Sequence, residues 1–390
     1  MIKVLFVDDE ANLLAGLRRM LFGMNNEWEM TFAQSGSAAL ELMRTQAFDV
    51  IVTDMRMPEM DGMTLLSHVR EEFPEVVRII LSGYSEMESM LRSIPVSHNF
   101  LRKPSPRETL TTAIERAREL QKRLSDPQMR RVIGSITTLP SPSSTVDELN
   151  QLLRSENPSI DSITRIISND IGMMVKVLQL VNSGFFGVSR TVVDIREAIN
   201  YLGLSTIRDL LVTCEIFQNF ESDGRDTEFI TEIKNHSIRV GEYAGQLMSD
   251  ERERNEAFVA GFLHDVGELI VGLYMPEKYA ELCRRSGRKT AHGQTIEMEV
   301  LGTSHASIGA YLLELWGLPY VIVEAVARHH DAHELPDRNL DAVHAVYVAE
   351  AVTNKEDDDT ATAIDARYLE DLGITSRVAE LSASADSRSN

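Results

Sequence analysis

Asp54 closes a run of apolar and β-branched residues, Val50-Ile51-Val52-Thr53, and is followed at once by Met55-Arg56-Met57-Pro58 and Asp61-Gly62. The run predicts a strand buried on both faces, stopped by the proline and glycine. A carboxylate is thereby set at the carboxyl end of a strand, where open α/β sheets take their ligands. Asp8-Asp9 close an earlier strand pattern, Ser82 closes a later one, and Lys103-Pro104 follow Phe100-Leu101. Carboxylates gathered at one sheet edge repel; at an effective dielectric of ~20, a pair ~4 Å apart costs about 4 kcal/mol. A cation relieves this, and hard oxygen ligands suit Mg²⁺. A lysine and a hydroxyl beside such an acid offer a point charge and a hydrogen bond to a phosphoryl group. Asp54 is then the nucleophile, taking phosphate as an acyl phosphate.

A second series lies downstream. His236 falls on a helical face with Ile233, Val240 and Leu247, and His264-Asp265 follow Phe262-Leu263 on another helix. His305 precedes Ala306-Ser307-Ile308-Gly309, His329-His330 come next, and Glu350 lies beyond His344. One histidine on an apolar face is ordinarily a hydrogen-bonded core residue, but five of the ten fall in this series, which weakens that reading. A His-Asp pair can bracket one cation, with histidines of neighbouring helices completing the shell of a divalent transition metal.

The elements that must position these residues change character along the chain. Strand and helix signals alternate up to about residue 125, giving five βα units and an α/β, doubly wound, parallel five-stranded domain over 1–125. A long amphipathic helix carrying Leu110, Ile114, Ala117, Leu120 and Leu124 ends it at Asp126-Pro127 and is the expected conduit to the second domain. Residues 126–145, with Leu139-Pro140-Ser141-Pro142-Ser143-Ser144, read as a linker, and Thr145 with Glu148 as a capping box. From 146 to 350 the periodicity is helical, with stripes such as Ile160, Ile163, Ile166 and Ile167. Residues 351–390 read as an extension with a polar, disordered tail from Ser382.

The first 125 residues resemble the receiver domain of bacterial response regulators through Val7-Asp8-Asp9-Glu10, Thr53 to Pro58, Ser82-Gly83 and Lys103-Pro104. That resemblance implies that Asp9, Asp54 and the backbone carbonyl of Arg56 ligate Mg²⁺, with Asp8 acting through water. It implies that Ser82 and Lys103 contact the phosphoryl oxygens and that the Lys103–Pro104 bond is cis. Phe100 matches an aromatic that turns inward on activation, or is a half-buried edge-strand residue. Residues 130–330 resemble the HDOD family, HD-related helical output modules, through Asn182-Ser183-Gly184, Ala198-Ile199 and Leu202-Gly203. The later histidines are similar in order to the ligands of HD-type phosphohydrolases, notably the HD-GYP phosphodiesterases of cyclic di-GMP. Three departures stand out: Glu268 replaces a phosphate-binding lysine, no glycine-tyrosine-proline loop follows His330, and the terminal acid is Glu350 rather than an aspartate.

Composition fits. About 43% apolar and 25% charged residues over 390 positions describe an ordinary soluble protein of two or three domains. A net charge of −21 and the lack of a helix-turn-helix signal argue against DNA binding. No apolar run of membrane-spanning length is expected, and Met1 to Val7 is wrongly flanked for a signal peptide. Two cysteines, Cys214 and Cys283, without metal spacing fit a reduced, cytoplasmic protein. The expected function is a response regulator whose Asp54 is phosphorylated by a sensor histidine kinase and whose helical module signals by contact with a further, unidentified protein. The alternative is a phosphorylation-controlled metallophosphohydrolase. A homodimer stays open.

Overall fold

The structure, a computed structural model, describes residues 1–24, 26–83, 87–155, 157–188, 190–213, 225–287, 293–357 and 364–386; Cys214 lies outside them. The first domain runs β1 (Ile2–Val7), α1 (Ala11–Met20), β2 (Trp28–Ala33), α2 (Gly36–Thr45), β3 (Val50–Asp54), α3 (Gly62–Glu72), β4 (Val77–Ser82), α4 (Met87–Ser93), β5 (Asn99–Arg102) and α5 (Arg107–Arg123). The strands are all parallel in the order β2-β1-β3-β4-β5. Every side chain of β4 is buried, as are Val50 to Thr53 of β3. Near-continuous burial is what helices on both sheet faces impose. Register sets Val7 beside Thr53, Asp54 beside Leu81 and Ser82 beside Arg102, so the strand ends align at one edge.

Helices then take over: α6 (Pro127–Ser135), α7 (Ser143–Arg154), α8 (Ile160–Ser168), α9 (Ile171–Val181), α10 (Ile195–Thr213), α11 (Arg225–Leu247), α12 (Glu251–Leu263), α13 (Val266–Tyr274), α14 (Pro276–Ser286), α15 (Gln294–Leu301), α16 (His305–Leu315), α17 (Tyr320–Arg328), α18 (Ala342–Asp357), α19 (Ala366–Asp371) and α20 (Thr375–Asp386). α9 is buried on every side rather than along a stripe, so it forms the centre of its bundle.

Several expectations are corrected. The stretch expected to be a linker holds α6, capped by Asp126 and started by Pro127. α7 begins at Ser143 after Pro142, ahead of the Thr145–Glu148 box, because Pro142 already fixes a helix-compatible entry. A boundary at 350 would cut α18, and the tail from Ser382 is helical to Asp386, with Leu381 and Tyr368 buried against the bundle. One stretch, Glu251–Tyr274, does reach the length and apolarity of a membrane span; 78% of its most apolar 18-residue window is buried inside the protein. Phe100 is fully buried, not half-buried.

The two parts pack along the exposed edge of β5. Gly184 forms a parallel bridge to Leu101, and a Cβ there would lie 2.7 Å from Leu101 Cδ2 and 3.3 Å from the Phe100 carbonyl oxygen, so a larger residue would push on the Leu101 side chain. Gln179 Nε2 donates to the His98 carbonyl at 3.1 Å, and buried Arg78 donates to the carbonyls of Val96 (2.7 Å) and Gly134 (2.8 Å).

Candidate functional sites

At the sheet edge, Lys103 Nζ donates to Asp8 Oδ2 at 2.7 Å and is paired with Asp54 Oδ1. Asp54 Oδ2 accepts the Arg56 backbone N–H at 3.2 Å, and Asp8 Oδ1 accepts that of Glu10 at 2.9 Å. Asp8 is buried, Asp9 exposed and Ser82 fully buried. The Lys103–Pro104 bond is cis. Burial pushes the Asp54 carboxyl up, and its bonds to Lys103 only partly offset this. Burial alone would lower Lys103, but its bonds to Asp54 and Asp8 outweigh it and raise the ammonium. One lysine thus faces two carboxylates, with Asp9 beside Asp8 in the chain, an arrangement still short of positive charge and chemically suited to a hard cation.

The second site forms where six helices end or cross. His236 comes from the middle of α11 and Glu350 from α18. His264-Asp265 do not lie within a helix as expected but occupy the break between α12 and α13, which turns both side chains inward. His305 opens α16, and His329-His330 directly follow α17. Gly267 lets α13 meet α16: a Cβ there would collide with the His305 carbonyl, so a larger residue would drive Asp265 and His305 apart.

All seven side chains converge. His236 Nε2 and His264 Nε2 each lie 2.9 Å from Glu350 Oε2. Asp265 Oδ2 lies 3.1 Å from His264 Nε2 and 3.7 Å from His236 Nε2. Its other oxygen, Oδ1, lies 3.3 Å from His305 Nε2 and 3.7 Å from His329 Nε2. His305 Nε2 is 3.1 Å from His329 Nε2 and 3.2 Å from His330 Nε2. Two donors each ~2.0–2.1 Å from one ion can be at most ~4.2 Å apart, and these separations satisfy that bound.

The outer nitrogens decide what the inner ones present. His264 Nδ1 donates to the Gly261 carbonyl and His329 Nδ1 to that of Val326, both at 2.7 Å. His305 Nδ1 donates to Glu297 Oε1 at 2.6 Å, and Glu297 Oε2 accepts the His305 backbone N–H. With these three outer nitrogens carrying hydrogens, removal of any second proton would leave Nε2 lone pairs directed into the cluster, as in the ligands of a cation. His264 Nε2 has no well-angled hydrogen-bond partner among the described residues.

Electrostatics agree. Burial would lower His264, but Asp265 and Glu350 raise it to about 9; burial would lower His305 too, and Glu297 and Asp265 raise it well above its ordinary value. Burial and the neighbouring imidazoles hold His329 well down and His330 at about 4. Burial would raise Asp265 and Glu350, yet His264 and its neighbours hold both well below the carboxylate range. Two protons therefore do part of the neutralising that a cation would complete. Glu268, at 3% exposure, is pushed to about 8 by burial and then by Asp265.

Sequence reasoning missed Glu297 and gave Glu268 only a negative meaning. Glu297 lies eight residues before His305 on a separate helix, a spacing that carries no motif. His344 stays off the cluster, bonded to Asp341 at 2.7 Å.

The family model described as "Response regulator receiver domain" matches residues 4–115, and "HDOD domain" matches 139–332. An uncharacterised protein of Treponema pallidum is 23% identical over 209 residues, 53% of this chain and 40% of that protein. The hydrogenase transcriptional regulatory protein HoxA of Cupriavidus necator is 34% identical over 120 residues, 30% of this chain and 24% of HoxA. The sensor kinase CckA of Brucella abortus is 36% identical over 122 residues, 30% of this chain and 13% of CckA. The chain thus spans well under half the length of these curated relatives. Among solved structures, the MmoQ response regulator of Methylococcus capsulatus superposes with a TM-score of 0.51 at 22% identity, over 63% of this chain and 98% of MmoQ, and shares its fold.

Proposed function

From the premise that the chain is a response regulator joining a receiver domain to an HDOD domain, we propose that Asp54 accepts phosphate from a sensor histidine kinase and that the HDOD domain carries a two-ion transition-metal centre. In the receiver, Asp9, Asp54 and the Arg56 carbonyl hold Mg²⁺, with Asp8 acting through water. Mg²⁺ supplies charge neutralisation of the acids and of the incoming phosphoryl group. Lys103, already bonded to Asp8 and paired with Asp54, moves onto a phosphoryl oxygen, and the Ser82 hydroxyl donates to another. Incubation with Mg²⁺ and a small phosphodonor labels the chain. Asp54→Asn removes the label; a fully labelled Asp54→Asn variant would refute this role.

The observation that carries the metal reading is the split of Asp265. One oxygen faces His236, His264 and Glu350's side of the cluster, and the other faces His305 and His329. A carboxylate so placed would serve two ions, with His236, His264 and Glu350 available to one and His305, His329 and His330 to the other. Five imidazoles select a transition metal over Mg²⁺. The centre supports the structure through which the receiver's state is passed by contact to a downstream protein.

A second reading, phosphodiester hydrolysis, is favoured by the same cluster. It is weakened by Glu268, which sets an acid where a cation would bind phosphate. A diesterase assay on the metal-loaded chain separates the two, because turnover requires the second reading and its absence the first.

A further inference from the structure

The metal ligands sit on elements that the receiver holds. Arg123, the last residue of α5, reaches across the domain boundary to two helices at once. Its Nε donates to Glu314 Oε2 on α16 at 2.9 Å, and its Nη2 lies 3.6 Å from Glu324 Oε2 on α17. α16 begins with His305, and α17 leads directly into His329-His330. One arginine of the receiver thus ties together the two helices whose ends supply one complete trio of ligands.

The tie continues toward the cluster. Glu324 Oε1 also pairs with Arg328 Nε at 3.4 Å, and Arg328 Nη1 with Asp331 at 3.3 Å, so charged contacts flank His329-His330 on both sides. At ~1.5 Å rise per residue, Glu324 stands ~7 Å from His329 along the helix, within a rigid span. Two turns earlier on α5, Arg116 Nη1 donates to the Gly317 carbonyl at 3.3 Å, fixing the turn between α16 and α17. Burial raises the Glu314 carboxyl, and the charges of Arg123 and Arg116 oppose that rise. Beside the clamp lies a cavity of about 450 Å³ lined by Thr112, Glu119, Arg123, Tyr320 and Val323, which gives α5 room to shift.

We propose that Arg123 couples the phosphorylation state of Asp54 to the metal affinity of the histidine cluster by clamping α16 and α17 in the geometry that brings His305, His329 and His330 together. This rests on the metal reading above. In the clamped arrangement Lys103 is bonded to Asp8 and paired with Asp54, and the trio converges. Drawing Lys103 onto a phosphoryl group pulls on the segment that leads into α5, loosens the clamp and weakens the metal. Linkage makes the effect reciprocal: a metal-loaded chain binds the noncovalent phosphoryl mimic more weakly by the same factor.

The test uses the full chain with saturating Mg²⁺, which fills the receiver, and Mn²⁺ as the probe of the cluster. Beryllofluoride serves as the phosphoryl mimic at Asp54. The mimic is expected to weaken Mn²⁺ binding by about fivefold or more in the native chain. In Arg123→Ala, and in Glu324→Gln, which cuts only the α17 arm, Mn²⁺ still binds but its affinity no longer responds fully to the mimic. Equal Mn²⁺ affinity with and without the mimic in the native chain overturns the coupling and leaves the metal reading standing. A full shift retained in both variants overturns the role of Arg123. A chain that takes up no Mn²⁺ at the cluster overturns the metal reading and the coupling together.

Discussion

At the scale of single residues, types of side chain were legible and their supports were not. Asp8, Asp54, Ser82 and Lys103 stand at strand ends that the sequence pattern already marks. His264, Asp265, His305 and Glu350 meet from segments up to 86 residues apart, which only the fold can bring together. Glu297 was invisible because a hydrogen bond to an outer imidazole nitrogen leaves no spacing in the chain. It holds the His305 ring by two bonds, 2.6 Å to Nδ1 and 2.9 Å to the backbone N–H. Glu297→Gln should therefore lower metal affinity by about tenfold or more, since such supporting groups are worth ~10–100-fold. Titration with Mn²⁺ monitored by electron paramagnetic resonance checks this. A variant that binds as tightly as the native chain would show that the Glu297 carboxylate does not support the ligand.

At the scale of elements, the alternation of strands and helices was plain from periodicity, whereas the contacts of α6 and the Asn-Ser-Gly segment were not. The sequence suggested one long helix as the conduit between the halves. The structure adds a broad contact in which Gly184 extends the β5 edge and Gln179 reaches His98. Replacing Gly184 by valine inserts a side chain against Leu101 and the Phe100 carbonyl. Overpacking of this kind costs about 1–3 kcal/mol, and hydrogen exchange should rise in both 99–102 and 182–188. Exchange that stays native-like would mean that the edge does not dock as described. His98 lends the same contact a pH dependence. Burial and then the Arg78 charge hold it well below its ordinary value, so it stays neutral in the fold. Below pH 6.5 the unfolded chain binds the proton and the fold does not, so stability is full above 6.5 and falls as pH drops toward the depressed value. The slope is at most about 1.4 kcal/mol per pH unit, and urea unfolding of His98→Asn should show a shallower acid limb than the native chain.

At the scale of the whole molecule, a cluster of buried charge is joined to the Asp54–Lys103 site through packed helices. Buried histidines and acids at this density are costly unless each is paired or a cation joins them. Protons on His264 and His305 offset part of that cost in the metal-free protein, yet they leave His264 Nε2 without a well-angled partner. Bound metal is what would resolve this buried charge, and counting metal per chain tests that most directly. The purified full-length protein, stripped with a chelator, reloaded with Mn²⁺ or Fe²⁺ in excess Mg²⁺ and desalted, should retain close to two transition-metal ions per chain by elemental analysis. Asp265→Asn, which removes the bridging charge, should lose them while keeping its helical content by circular dichroism. A native chain that retains no transition metal after reloading would contradict the account.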